Sequence, residues 1–352
     1  MHFQNLSLLL LLGIFITAGV AIWISGIHLS KSTGFLSKHF GLGDAMGGMI
    51  LLALVTNLPE MAIVVSASIK NNMALAVGDV LGGISMQTLV LVVLDVFGTP
   101  KNTSLTYQSA SLPRVIEGLL VMMVLTLVIL GHQLPSSLIF FRVTPGVLLI
   151  AIAWIVGLGL VSKAGKGLPW KAKENDSDKN KDQKDTGKKD SDQEKQKSTG
   201  KEIGIFLLTA IVTLVAGYCL ERTGDAISKK IGMQGILFGA TVLAAATSLP
   251  EISTGLASMK LKKYDMAVSD IFGGNAFLPV LFLLATLISG KSVLPQAKSA
   301  DIYLTALALI LTGVYIFGII FRPRKKILYM GVDSFIVLIL YALGVVGLFV
   351  IA

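Results

Sequence analysis

The sequence predicts an all-α polytopic membrane protein of ten transmembrane helices, built as two inverted five-helix repeats. Three observations carry this expectation. The chain of 352 residues is 53% hydrophobic and only 14% charged, with a mean hydropathy of +0.76, whereas soluble domains carry about 25% charged residues. Much of it consists of long apolar runs, and a bilayer core of ~30 Å needs about 20 apolar residues per helix. One polar motif, Thr-x-Leu-Pro-Glu, occurs at 56–60 and again at 247–251, 191 residues later.

Taken in order, the apolar runs predict helices over 6–29, 44–69, 74–98, 113–132 and 143–162. The second set covers 202–221, 235–259, 266–289, 301–321 and 327–351. No Lys or Arg precedes the first run, so it does not read as a cleaved signal peptide. The runs at 44–98 and 235–289 are rich in Gly, Thr, Ser and Asn, and they form the repeated unit of each half. Between the halves, 163–201 holds 12 lysines and 8 acidic residues, and from 171 to 200 it has no Val, Ile, Leu, Met, Phe, Trp or Tyr. Such a segment has nothing to bury and is expected to be a disordered cytoplasmic linker. The domains are therefore 1–162, the linker 163–201, and 202–352.

With both termini outside, 23 of the 30 basic residues fall in cytoplasmic loops, as the positive-inside bias requires. The expected location is the plasma membrane, multi-pass, with loop 163–201 cytoplasmic. The net charge of +9 sits between spans and in that loop, so nucleic acid is not an expected partner. Cys219 is the single cysteine, which excludes a disulfide scaffold.

Sliding the chain on itself by 191 residues aligns 52–83 with 243–274 without a gap, and 11 of the 32 pairs are identical. Five spans per half is an odd number, so the second copy enters the membrane from the opposite side. Two copies of one motif then converge near the midplane, a plan common among secondary transporters.

Glu60 and Glu251 lie inside apolar spans, where an ionisable group costs at least ~2.5–3.5 kcal/mol and should face a cavity or ligand. Pro59 and Pro250 cannot donate to the helix ladder, which frees carbonyls one turn earlier, within 53–56 and 244–247. Thr56 shares a helix face with Glu60, and Thr247 with Glu251. Asn57 and Ser248 add one oxygen each. This is a hard-oxygen set suited to Ca²⁺, with no His or Cys in it. Further candidates are the carbonyls of Ala53 and Ala244, together with Asp79, Asp270, Gln87 and Asn275. Asp79 and Asp270 are read as beginning the next helix of each repeat, in capping or ion-access roles. Asp95 and Glu117 have no repeat partner and read as interfacial. The glycines of Gly78-x-x-x-Gly82 and of Ser269-x-x-x-Gly273 read as packing sites.

Thr-Asn-Leu-Pro-Glu at 56–60 and Thr-Ser-Leu-Pro-Glu at 247–251 resemble the α-repeats of the sodium/calcium exchanger superfamily. The resemblance covers nearly the whole chain. It implies a ten-helix inverted-repeat antiporter exchanging Ca²⁺ against Na⁺ or H⁺, with no resident cofactor and no enzymatic activity. Carried over, Glu60 and Glu251 are the main Ca²⁺ carboxylates, Thr56 and Thr247 give backbone or hydroxyl oxygen, and Ser248 a Na⁺-site hydroxyl. The sequence departs from that family where Gly83 and Gly274 stand in place of serines. Gln87 keeps an amide oxygen at the position where Leu278, in the second repeat, has none. The Ca²⁺ core is thus kept and the Na⁺ sites are depleted, which gives weight to proton coupling or another cation. A cation channel lined by the same oxygens is the rival from another class. An intramembrane protease is disfavoured, because Gly78-Asp79 is preceded by Ala76 and Asp265 is expected in a loop.

Overall fold

The computed structural model of the protein describes residues 6–165, 199–231 and 247–351. Ala244, the first part of the expected span 235–259, and all but the ends of the expected linker lie outside the described residues.

The first half runs through α1 (Leu8–His39), α2 (Gly43–Thr56), α3 (Leu58–Ile69), α4 (Met73–Gly98), the short α5 (Leu105–Gln108), α6 (Leu112–His132) and α7 (Pro145–Gly165). The second half contains α8 (Thr199–Ile231), α9 (Leu249–Lys260), α10 (Tyr264–Ser289), α11 (Ser299–Phe321) and α12 (Val332–Ile351). Among the described residues, seven helices are long and apolar enough to cross a membrane, or eight if the bent pair α2–α3 is one span; α12 is a shorter apolar helix. A two-residue antiparallel hairpin, Lys326–Ile327 with Met330–Gly331, joins α11 to α12.

The layering follows from burial. In their most apolar windows α10 is 72% buried and α4 61%, against 22% for α1 and 28% for α8. The glycine-rich repeat helices α4 and α10 therefore form the centre. The Leu- and Ile-rich α1 and α8 pack against each other at the periphery and leave apolar side chains for lipid.

The duplication is visible in the backbone. Leu58 and Leu249, and Met73 and Tyr264, each begin helices 191 residues apart. The turn after α3 passes through Lys70 (φ −83, ψ 4) and Asn71 (φ 55) to Asn72 (φ −98, ψ 71). The turn after α9 repeats it with Leu261 (φ −82, ψ 5), Lys262 (φ 59) and Lys263 (φ −97, ψ 62). Asn72 N–H donates to the Ala67 carbonyl at 2.8 Å, as Lys263 N–H does to that of Ser258 at 3.0 Å.

Several expectations need correction. The first helix does not stop at 29 but continues to His39, because Ser30, Ser32, Thr33 and Ser37 are fully buried against neighbours. The last helix begins at Val332, not 327, because the hairpin takes the intervening residues. Asp79 and Asp270 do not begin helices. Each is the seventh residue of its helix, two turns in from Met73 or Tyr264. Asp265 lies in the first turn of α10 rather than in a loop.

Candidate functional site

Each Leu-Pro-Glu motif starts a helix at a break. The α2–α3 rod bends by 49° at Asn57 (φ −89, ψ 12), and Ser248 (φ −84, ψ 5) occupies the equivalent place before α9. Pro59 and Pro250 are therefore not in helix interiors. They sit in the first turn of a new helix, where a missing N–H is harmless. Glu60 and Glu251 follow in the same first turn, and the carbonyl end of α2 stops beside them.

Glu60 is 7% exposed and Glu251 1%. Both Glu251 oxygens are buried without a hydrogen bond among the described residues. Their electrostatic neighbours are the carboxylates of Glu60 and Asp270, with the Thr56 hydroxyl beside them. Asp270 is itself held by Thr254 Oγ1, which donates to Oδ2 at 2.6 Å. Thr56 Oγ1 stands 3.3 Å from Asp270 Oδ1 and 3.1 Å from the Leu52 carbonyl, and its single proton can serve one of them at a time. Buried like charges repel, so this neighbourhood is suited to positive charge. Among the described residues no three acidic, His or Cys side chains converge as a metal cluster, so a cation here would complete its shell with hydroxyls and carbonyls.

The other candidates are placed as follows. Asn57 Nδ2 donates to the Ala53 carbonyl at 2.6 Å, and Asn57 Oδ1 accepts from Gln87 Nε2 at 2.9 Å. The Ala53 carbonyl, which also accepts from Asn57 N–H at 3.3 Å, is thereby taken. Asn275 Nδ2 donates to Thr88 Oγ1 at 2.9 Å, which ties α10 to α4. Ser248 is buried, whereas Thr247 and Asp79 are half-buried. At Gly274 a Cβ would stand 2.7 Å from Asn57 Nδ2, while at Gly83 no described residue lies within 4 Å of one. Gly273 packs on the backbone of Met49, whose Cα would lie 2.7 Å from an added Cβ. That matches the packing reading for Gly273, whereas no described residue lies within 4 Å of a Cβ added at Gly82.

Two groups went unrecognised in the sequence. Thr254, one turn after Glu251, is the main donor to Asp270. Glu117 and Asp95, read from the sequence as interfacial, are both fully buried within the protein. Glu117 accepts from Arg114 Nη1 at 2.8 and 2.9 Å and lies 2.8 Å from Ser269 Oγ, joining α6 to α10 next to Asp270. Arg114 and Glu117, opposite charges one helical turn apart, were the available signal. Asp95 accepts from Leu105 N–H at 2.8 Å and, at 2.7 Å each, from Gly331 N–H and Ser334 Oγ. It thus ties α5, the hairpin and α12 to the end of α4.

The two ends of the bundle are not alike. At the α9 end, α1 lies directly on the repeat: Ser30 and Ser258 hydroxyls are 2.8 Å apart, and Ser253 Oγ is 3.5 Å from the Ile22 carbonyl. Lys263 Nζ closes that end on Asp44 at 2.7 Å. At the equivalent α3 end, a cavity of about 320 Å³ separates α8 from α3 and the start of α4.

Comparison with known proteins adds the following. A family model described as "Sodium/calcium exchanger protein" matches residues 10–162 and 201–350. Inner membrane protein YrbG of Escherichia coli (strain K12) is 24% identical over 297 residues, covering 84% of this chain and 85% of that protein. Sodium/potassium/calcium exchanger 1 of Homo sapiens is 31% identical over 99 residues, which are 27% of this chain and only 9% of that protein. Among solved structures, the sodium-calcium exchanger NCX_Mj soaked with 10 mM Na⁺ and zero Ca²⁺ superposes with a TM-score of 0.65 at 16% identity, covering 97% of this chain and 99% of that one. At that identity the likeness speaks to the fold, which is the ten-helix inverted-repeat fold expected from the sequence.

Proposed function

The chain belongs to the sodium/calcium exchanger protein family, and from that premise we propose that it exchanges Ca²⁺ for Na⁺ by alternating access at a midplane site built from the two Leu-Pro-Glu motifs. It is a multi-pass membrane transporter of the cation/calcium exchanger family and not an enzyme. The observation that carries the finer reading is the buried Glu251 carboxylate, with Glu60 and Asp270 as its charged neighbours at the junction of two broken helices. In this reading Glu60 and Glu251 supply the carboxylates. Thr56, Thr247, Asn57 and Ser248 supply further oxygens, and Asp270, Asp79, Gln87, Asn275 and the carbonyls of Ala53 and Ala244 form the surrounding set.

A site that gathers buried carboxylates is costly to occlude in low dielectric without a cation. It changes sides only when loaded, which enforces exchange rather than leak. The unequal ends support alternating access: α1 lies closed along α9, whereas α8 packs on α3 at Gly217 and Pro59 but leaves a cleft beside Ser66 and Lys70. Closing the second cleft and opening the first would interchange the roles of the halves. The 1–162 and 202–352 halves, the linker 163–201 on the cytoplasmic side and both termini outside belong to the same proposal, as does the plasma membrane location. The relative YrbG is an inner membrane protein.

Proton coupling is the second reading, and specific positions favour it. Gly274 leaves no room for a hydroxyl beside Asn57, and Leu278 is buried and apolar. The test is Ca²⁺ uptake into proteoliposomes under an outward Na⁺ gradient, with an H⁺ gradient as the parallel arm. Uptake driven by Na⁺ supports the first reading, and uptake driven by H⁺ alone supports the second. A linear Ca²⁺ current independent of either gradient would replace both with a channel.

A further inference from the structure

The cavity between α8 and the α3–α4 turn carries the wrong charge for a cation path. Lys70 and Arg222 line it together with Ser66, Asn72 and Tyr218, over a floor that includes Ile63, and among the described residues no acidic side chain lines it. A cation approaching the site helices through this cleft would meet two positive charges. An anion would be drawn to them. The Arg222 guanidinium stacks over the Tyr218 ring, 5.3 Å from its centroid, which holds the fork in place. Asn72 uses its side-chain oxygen to cap Leu75 N–H, leaving its amide NH₂ as a donor. Lys70 caps the end of α3 and Arg222 lies two residues before Gly224, where the apolar span of α8 ends, the level of lipid headgroups.

We propose that this cleft binds the phosphate of an anionic phospholipid headgroup, gripped by Lys70 and Arg222, with its acyl chains continuing over the exposed Leu75 and Ile69. Phosphate is the chemistry an arginine fork and a lysine recognise. The cleft has a counterpart in the second half, where Ser258, Ser253 and Lys263 occupy positions equivalent to Ala67, Ala62 and Asn72 and α1 lies in direct contact. A headgroup in the cleft therefore acts as a wedge that opposes approach of α8 to α3. The wedge consequence rests on the alternating-access reading, whereas the binding itself does not.

The test uses the full-length protein in phosphatidylcholine membranes with or without phosphatidylglycerol, and inorganic phosphate as a separate arm. Native mass spectrometry reads retained phosphatidylglycerol, and Ca²⁺ uptake reads the wedge. The wild type should retain phosphatidylglycerol and transport more slowly in its presence. Lys70→Gln/Arg222→Gln should bind it roughly tenfold more weakly, a loss of about 1.4 kcal/mol, and transport equally in both membranes. Arg222→Lys, which keeps the charge, should retain most of the binding and guards against a misfolded double variant. Equal retention by wild type and double variant overturns the proposal. Inorganic phosphate displacing the lipid signal in full would assign the cleft to a soluble anion and overturn the lipid assignment. If no variant transports Ca²⁺ but lipid retention still follows Lys70 and Arg222, the exchanger reading fails and the lipid site stands.

Discussion

The Ser269 hydroxyl lies 2.8 Å from both carboxylate oxygens of Glu117. Because Ser269 directly precedes Asp270, this contact fixes the helix carrying Asp270 against α6, with Arg114 completing the buried charge pair. Removing one member of such a pair leaves the other charge buried, which costs ~3–5 kcal/mol. Arg114→Met should therefore lower the melting temperature in detergent sharply, and Arg114→Met/Glu117→Met should recover much of it. A single variant as stable as the wild type would remove the hub from the account.

Glu60→Gln and Glu251→Gln should each suppress Ca²⁺ transport while leaving membrane insertion and melting temperature near wild type. Losing one carboxylate ligand of a divalent ion should weaken binding by at least about tenfold, the equivalent of ~1.4 kcal/mol. Radioactive Ca²⁺ uptake into proteoliposomes checks this. Near-normal uptake in both variants would move the site elsewhere.

Gly83 and Gly274 occupy equivalent positions but should respond differently to serine. Among the described residues nothing lies within 4 Å of a Cβ at 83, so Gly83→Ser should fold normally. At 274 it meets the Asn57 amide at 2.7 Å, in a packed region where overfilling costs ~1–3 kcal/mol. Thermal stability and Na⁺-driven uptake of the two variants, measured side by side, give the comparison. Equal behaviour would contradict the asymmetry.

Ser30 and Ser258 hydroxyls are 2.8 Å apart, within reach of a disulfide if both become cysteine. In a Cys219→Ala background, Ser30→Cys/Ser258→Cys should transport when reduced and stop when oxidised, with activity restored by reductant. Continued transport with the crosslink formed would mean that α1 and α9 need not separate at that end.

The bilayer is a strict solvent, and this made much of the fold legible. Leu-Pro-Glu at 58–60 and 249–251 stood out because a carboxylate and a proline are both costly within an apolar run. The spans around them followed from hydropathy. Hydropathy ended α1 too early because Ser30, Ser32, Thr33 and Ser37 count as polar although neighbouring helices bury them. Glu117 and Asp95 were misread for a related reason. Their burial depends on Ser269 and Ser334, far along the chain and carrying no periodicity that points back. Asn57 was recognised as an oxygen source, but its engagement with Ala53 and Gln87 depends on the angle of the helix break.

The contact between Met49 and Gly273 also has a consequence for biosynthesis. More than 220 residues separate the two, so at ~5–20 residues per second the ribosome needs on the order of 10–45 s to supply the partner of the first broken helix. During that interval α2 is already made while the helix that will cover it is not. Carbonyls beside the break have local cover: Thr56 Oγ1 lies 3.1 Å from the Leu52 carbonyl, and Asn57 Nδ2 lies 2.6 Å from that of Ala53. Both bonds need only residues synthesised within moments of one another. A nascent first half can thus wait in the lipid with its backbone satisfied, and yield those oxygens once the second half arrives.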